Sequence, residues 1–256
     1  MHLEERLEFI DSLASLPLQM TPAIRAFSSP ETPPHDINKP SASAMPNTVN
    51  VFMPGVSEQI IDDVDFCKLI MQNDASKKFP EDSQLFDWYK HYVNGLGKLG
   101  WVIQNRNIQE ITIRKTGLTM DQVALDIAAG MIGANAANIL ANVGKKAVDA
   151  VKNNPGAIKI FERDKKLGTQ AKFDVAPVWV DGSGKANMIL NCISLDARES
   201  TRGILFWKST RASTTIKSGA VRAYLNTSIF SLVREKLATR YSKQTDELIE
   251  DLGDFD

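Results

Sequence analysis

The side chains most able to do chemistry in this 256-residue chain are its two cysteines, its three histidines and one tight acidic group. Cys192 lies in the run NMILNCISL. There it shares strand parity with Met188, Leu190 and Ser194, while Ile189, Asn191, Ile193 and Leu195 point the other way. Apolar residues on both parities describe a central strand covered on both faces. A thiol in that place is either an inert core group or one set in an apolar cavity and available for fatty acylation. Cys67 falls in a helical pattern and reads as ordinary packing. Two cysteines so far apart do not make a disulfide scaffold.

His2 and His35 fall in segments expected to be mobile, and His91 reads as a packing or surface residue of the aromatic helix, with no partner suggested nearby that would position it as a general base. No HExxH, CxxC, nucleophile elbow or Walker-type loop is present. Asp62, Asp63 and Asp65 lack the spaced oxygens and central glycine of a calcium loop. They read as the solvated side of a helix start, where negative charge is favoured. No catalytic residue, no metal site and no cofactor other than a covalent fatty acyl group is assigned.

Two further features concern surfaces. Ile127 to Gly144 (IAAGMIGANAANILANVG) carries no charge and is rich in Ala, Gly and Asn. Small residues at helical spacing let two backbones approach closely, in a soluble core or in lipid. Ile127, Met131, Ile132, Ile139 and Leu140 are its candidate membrane or partner contacts, although three asparagines weaken it as a spanning helix. Arg198, Arg202, Lys208, Arg211, Lys217 and Arg222 cluster in sequence around Trp207. Trp207, Lys208 and Arg211 are candidates for meeting lipid phosphate, against the plainer reading of charged strand edges.

The elements that would carry these residues follow from periodicity. Residues 3–16 make a short amphipathic helix. Eight of the eleven prolines fall between Pro17 and Pro54, which predicts an extended linker or arm. A single domain over 55–256 then begins with a helix from about Glu58 to Gln72. An aromatic helix follows from Gln84, stopped by Gly95, Gly97 and Gly100. Short strands are expected at 101–104 and 110–114, and a helical block from Thr119 or Asp121 to Asn153. Asn154-Pro155-Gly156 reads as a turn. Strands are expected at 157–163, 173–180 and 187–195, the last two joined by the hairpin signal Asp181-Gly182-Ser183-Gly184, and another from Gly203. Pro177 belongs at an edge or bulge. A final helix runs from about Ala220 or Asn226 to Asp251, with a frayed acidic end. The fold class is α+β, with a mainly antiparallel sheet and packed helices behind a short helix and a Pro-rich arm.

The α+β order, the length and the cysteine within NMILNCISL resemble the Erwinia virulence factor (Evf) family over residues 56–252. That resemblance implies a fatty acyl chain on Cys192 and a virulence role toward a host. Together these features suggest a non-enzymatic, membrane- or lipid-associated bacterial virulence or toxin-like protein. The alternative is a structural assembly or adaptor protein that self-associates or binds a partner subunit through residues 1–54. A net charge of −1 supplies no drive toward nucleic acid. The acidic, amphipathic start is unlike a classical signal peptide, so a cytoplasmic protein, or one released by another route, is expected.

Overall fold

The computed structural model describes residues 1–16, 34–113, 117–132, 134–163, 170–196, 214–245 and 248–256. A seven-stranded sheet lies between two helical layers. Its order is β3 (Trp101–Ile113), β6 (Thr214–Leu225), β5 (Ala186–Asp196), β4 (Gln170–Val180), β2 (Thr48–Phe52), β1 (Ser41–Met45) and β7 (Glu250–Asp254). Every pairing is antiparallel except β2 with β4. The α+β class with a mainly antiparallel sheet is therefore what the chain adopts.

Side chains alternate across a sheet, and two apolar cores result. On one face, Met188, Leu190 and Cys192 of β5 pack under α1 (Leu3–Ser12), α2 (Glu58–Lys78), α3 (Leu85–Lys98) and α7 (Thr227–Thr245). On the other, Ile189 and Ile193 pack under α4 (Met120–Ile132), α5 (Ala134–Asn153) and α6 (Pro155–Phe161). The two-sided burial read from NMILNCISL is thus the observed state of β5.

Several expectations are corrected. Residues 41–52, assigned to an extended arm, form the hairpin β1–β2 within the sheet. Pro46 and Asn47 make its turn, Asn47 taking φ 58°, the left-handed region that Asn tolerates. Residues 157–163, read as a strand, start instead as α6. The Asn154 side chain caps it, accepting from Gly156 N at 2.9 Å and Ala157 N at 3.1 Å, with Pro155 at the first helical position. The aromatic helix passes through Gly95 and Gly97 and ends before Gly100, at φ +114°. The two short strands after it are one strand, β3, with a bulge between Gln104 and Arg106. The acidic C-terminus is not frayed: β7 pairs with β1.

Pro177 is neither at an edge nor in a bulged register. It lies in β4 between β2 and β5, where the β4–β5 ladder lapses between Phe173 and Val178. Side chains fill that gap: Asn191 N donates to Asp174 Oδ1 at 2.9 Å and Asn191 Nδ2 to Val175 O at 3.0 Å. A residue without an N–H is tolerated where the ladder is already replaced.

Candidate functional site

Of the acidic group on α2, only Asp62 lies on an exposed helix side. Asp63 and Asp65 are buried, and so is Lys68, at 0% exposure. Helical spacing puts Asp65 and Lys68 over β1, β2 and β4. Lys68 Nζ donates to Asp174 Oδ2 at 3.0 Å and Asn50 Oδ1 at 2.5 Å. Asp65 Oδ1 accepts from Ser43 Oγ at 2.8 Å and Asn50 Nδ2 at 2.7 Å. Burial pushes Asp65 up to about 7, against the hydrogen bonds of Ser43 and Asn50 and the charge of Lys68. Burial also raises Asp174 and lowers Lys68. One cation among these groups satisfies the network at a desolvation cost, so its role is to fix the register of α2 on the sheet.

Beside this network a cleft of about 450 Å³ opens between α2, α7 and β7. Phe66, Phe230, Leu237 and Ile249 form its apolar walls, and Asp62, Asp63, Asp65 and Asp251 its acidic lining. Arg234 donates to both oxygens of Asp63, from Nε to Oδ1 at 3.0 Å and from Nη2 to Oδ2. Its guanidinium also lies 5.2 Å from the Phe230 ring centre. Asp62 is raised above the usual carboxylate range by burial and by the like charges of Glu58, Asp63 and Asp251. The volume falls within the range of about 300–1,000 Å³ common for ligand sites. Sequence reading missed this cleft because its walls come from segments some 170 residues apart, as Asp63 and Arg234 are (|i−j| 171).

Cys192 borders a second, small cavity of about 20 Å³ with Thr48, Gln72, Trp88, Tyr92 and Phe173. It is 3% exposed, whereas Cys67 is fully enclosed. Neither cysteine forms a disulfide. Burial pushes the Cys67 thiol well above its ordinary value, which leaves it inert. Two of the histidines are paired with carboxylates: His91 Nε2 meets Asp74 Oδ2 at 2.7 Å, and His35 bridges Asp254 Oδ1 at 2.6 Å and Val56 O at 2.9 Å. Among the described residues no cluster of three or more His, Cys, Asp or Glu could hold a metal ion.

The remaining candidates are dispersed. The uncharged run forms parts of α4 and α5, which pack on each other with Gly144 against Leu125. Leu140 is buried, Ile127, Met131 and Ile132 are half-buried against the same core, and Ile139 is 47% exposed. No helix among the described residues is long and apolar enough to cross a membrane. Trp207, Lys208 and Arg211 lie outside the described residues. The apolar side of α1 and its tail, Ile10, Leu13 and Leu16, is buried in the chain's own core.

No known protein family matches the chain, and no curated protein matches it. Among solved structures, the Evf virulence factor aligns over 96% of this chain and 88% of its own, at 10% identity and a TM-score of 0.42. A delta-endotoxin aligns over 83% of this chain and 91% of its own, at 13% identity and a TM-score of 0.39. Both are weak structural resemblances.

Proposed function

We propose that this chain is a non-catalytic, lipid-associated binding protein whose working site is the α2–α7–β7 cleft. The observation that carries the reading is the cleft itself: about 450 Å³, apolar-walled and polar-lined, as amphiphile sites are. Its virulence or toxin-like character rests on the resemblance of layout to the Evf family. Nile red, a neutral apolar fluorophore, tests the site. Saturable binding that Ala238→Trp abolishes supports it, because Ala238 lines the cleft. Binding that is absent, or that persists unchanged in folded Ala238→Trp, overturns it.

A second reading, fatty acylation at Cys192, is favoured by the position of that thiol on a cavity with Trp88, Tyr92 and Phe173. A space of about 20 Å³ holds about one water, so an attached chain would leave it toward solvent or a bilayer. Intact mass with peptide mapping of Cys67 and Cys192 decides it: an acyl adduct on Cys192 supports attachment, and two unmodified thiols remove it. Association through residues 1–54, the adaptor alternative, would have to use surfaces other than the buried side of α1.

A further inference from the structure

We propose that Lys68 and Asn50 close an intramolecular amide bond, an isopeptide cross-link between α2 and β2, with Asp174 as proton acceptor and Asp65 as proton donor. This modification lies inside the core and is independent of what the cleft binds.

The network holds more than an ion pair requires. Lys68 and Asp174 already balance each other's charge. Lys68 Nζ also donates to an amide, at 2.5 Å to Asn50 Oδ1. A carbonyl bond is about 1.23 Å long, so Nζ lies within about 3.7 Å of Asn50 Cγ. The nitrogen of that amide meets a carboxyl, Nδ2 donating to Asp65 Oδ1 at 2.7 Å. Amine, acyl carbon, base and acid thus stand together. The base and the acid are themselves held, Asp174 by Asn191 N and Asp65 by Ser43 Oγ. Lys68 and Asn50 are both at 0% exposure, which excludes water as a competing nucleophile. Well-oriented groups fixed in this way react as if at about 10⁵–10⁸ M.

Burial also favours the forms the step needs. It lowers Lys68 toward the neutral amine, raises Asp174 as a proton acceptor and keeps a proton on Asp65 up to about 7. The lone pair of the neutral amine adds to Asn50 Cγ. Asp174 Oδ2, 3.0 Å from Nζ, takes one Nζ proton. Asp65 gives its proton to Nδ2, the Cγ–Nδ2 bond breaks, and ammonia leaves. One C–N bond forms and one breaks, with no oxidation or reduction. The products are the Lys68–Asn50 amide, ammonia, protonated Asp174 and ionised Asp65. Asp174 also borders the cavity of about 20 Å³, room for about one molecule the size of water or ammonia. Until the bond closes, the ionic network alone holds α2 on the sheet, and stability measured then reports that network.

Intact mass of the folded full chain, followed by cyanogen bromide cleavage after methionine, tests the bond. The expected result is a mass lower by one ammonia than the sequence requires, with fragments 46–53 and 54–71 recovered joined through Asn50 and Lys68. The full mass after prolonged incubation of the folded chain, with the two fragments separate, would overturn the proposal. So would loss of ammonia with the fragments separate, which places the loss at another amide. Loss of one water with 54–71 joined to 132–188 would overturn Asn50 as the acceptor in favour of Asp174. Asp65→Asn removes the proton donor, so the folded variant should keep its ammonia and yield separate fragments. Joined fragments in that variant would overturn the role of Asp65.

Discussion

The two faces of the sheet solve the same packing problem with different materials. Under α2 and α3 the core contains Lys68, Asp65, Asp174 and both cysteines among large aromatics such as Tyr89, Tyr92 and Trp101. Under α4 and α5 the apolar core is Ala, Val, Leu, Ile, Phe and Met53, with buried Asn191 on the same strand parity as Ile189 and Ile193. An ion pair there joins Lys152 to the buried Asp121 at 3.5 Å, without the shared hydrogen bonds of the Lys68 group. A directional network holds the first face and complementary shape the second. The cleft, the small cavity and the cysteines all belong to the first face, so the chain's chemistry is gathered on one side of the sheet.

Removing the central cation should break the contrast most severely. Lys68→Met leaves Asp174 without its ion pair and Asp65 without its nearby charge. A loss of about 3–5 kcal/mol is expected, read from urea unfolding. Lys68→Met with Asp174→Leu should recover much of it, because the buried charge goes with its partner. If the single variant is as stable as the parent, the network does not hold this face.

Glycines sharpen the comparison at a smaller scale. A Cβ on Gly219 would lie 2.7 Å from Cε1 of Tyr89. The Tyr89 hydroxyl is tied to Leu190 O at 3.0 Å, so the ring cannot swing aside. Gly219→Ala should cost about 1–3 kcal/mol. A Cβ on Gly144 would lie 2.4 Å from Cδ2 of Leu125, the free end of a flexible side chain. Gly144→Ala also gains about 1 kcal/mol of helix propensity, so its net change should be smaller. Thermal unfolding of both ranks them, and the reverse order would contradict the distinction between a fixed and an adaptable face.

The pH response should also belong to the first face. Asp65 sits at about 7 in the folded chain against an ordinary 3.8. A raised carboxyl holds its proton more tightly when folded. The stability it contributes is full below about 4 and is lost as pH rises through about 7. Asp65→Asn should flatten the fall in Tm over that interval, and an unchanged slope would assign it to other groups. Least in energy, but simple to read, is alkylation of the native protein. Cys192, beside a cavity, should label before the enclosed Cys67, by peptide mass.

What was legible in the chain was local. The parity of NMILNCISL announced a doubly covered strand, and Asp181-Gly182-Ser183-Gly184 announced the β4–β5 hairpin, with Gly184 at φ +77°. What was hidden depended on distant partners. The Ser-Ala-Ser-Ala-Met segment has little strand propensity. It becomes β1 because β2 and β7 flank it, β7 being about two hundred residues away (Ser43 pairs with Asp251). Asp65 looked solvated because the partners that bury this side of α2 are remote in sequence, Asp174 lying 106 residues from Lys68. Asn154 showed its turn chemistry, but whether it led into a strand or capped a helix was settled by packing of Ala157 and Phe161 in the core.

The central claim is that binding belongs to the α2 side of the sheet while the α4–α5 side is a closed core. Amide hydrogen exchange with and without Nile red tests it most directly. The account predicts added protection in α2, α7 and β7 and unchanged exchange in α4 and α5. Protection confined to α4 and α5, with none around the cleft, would contradict it.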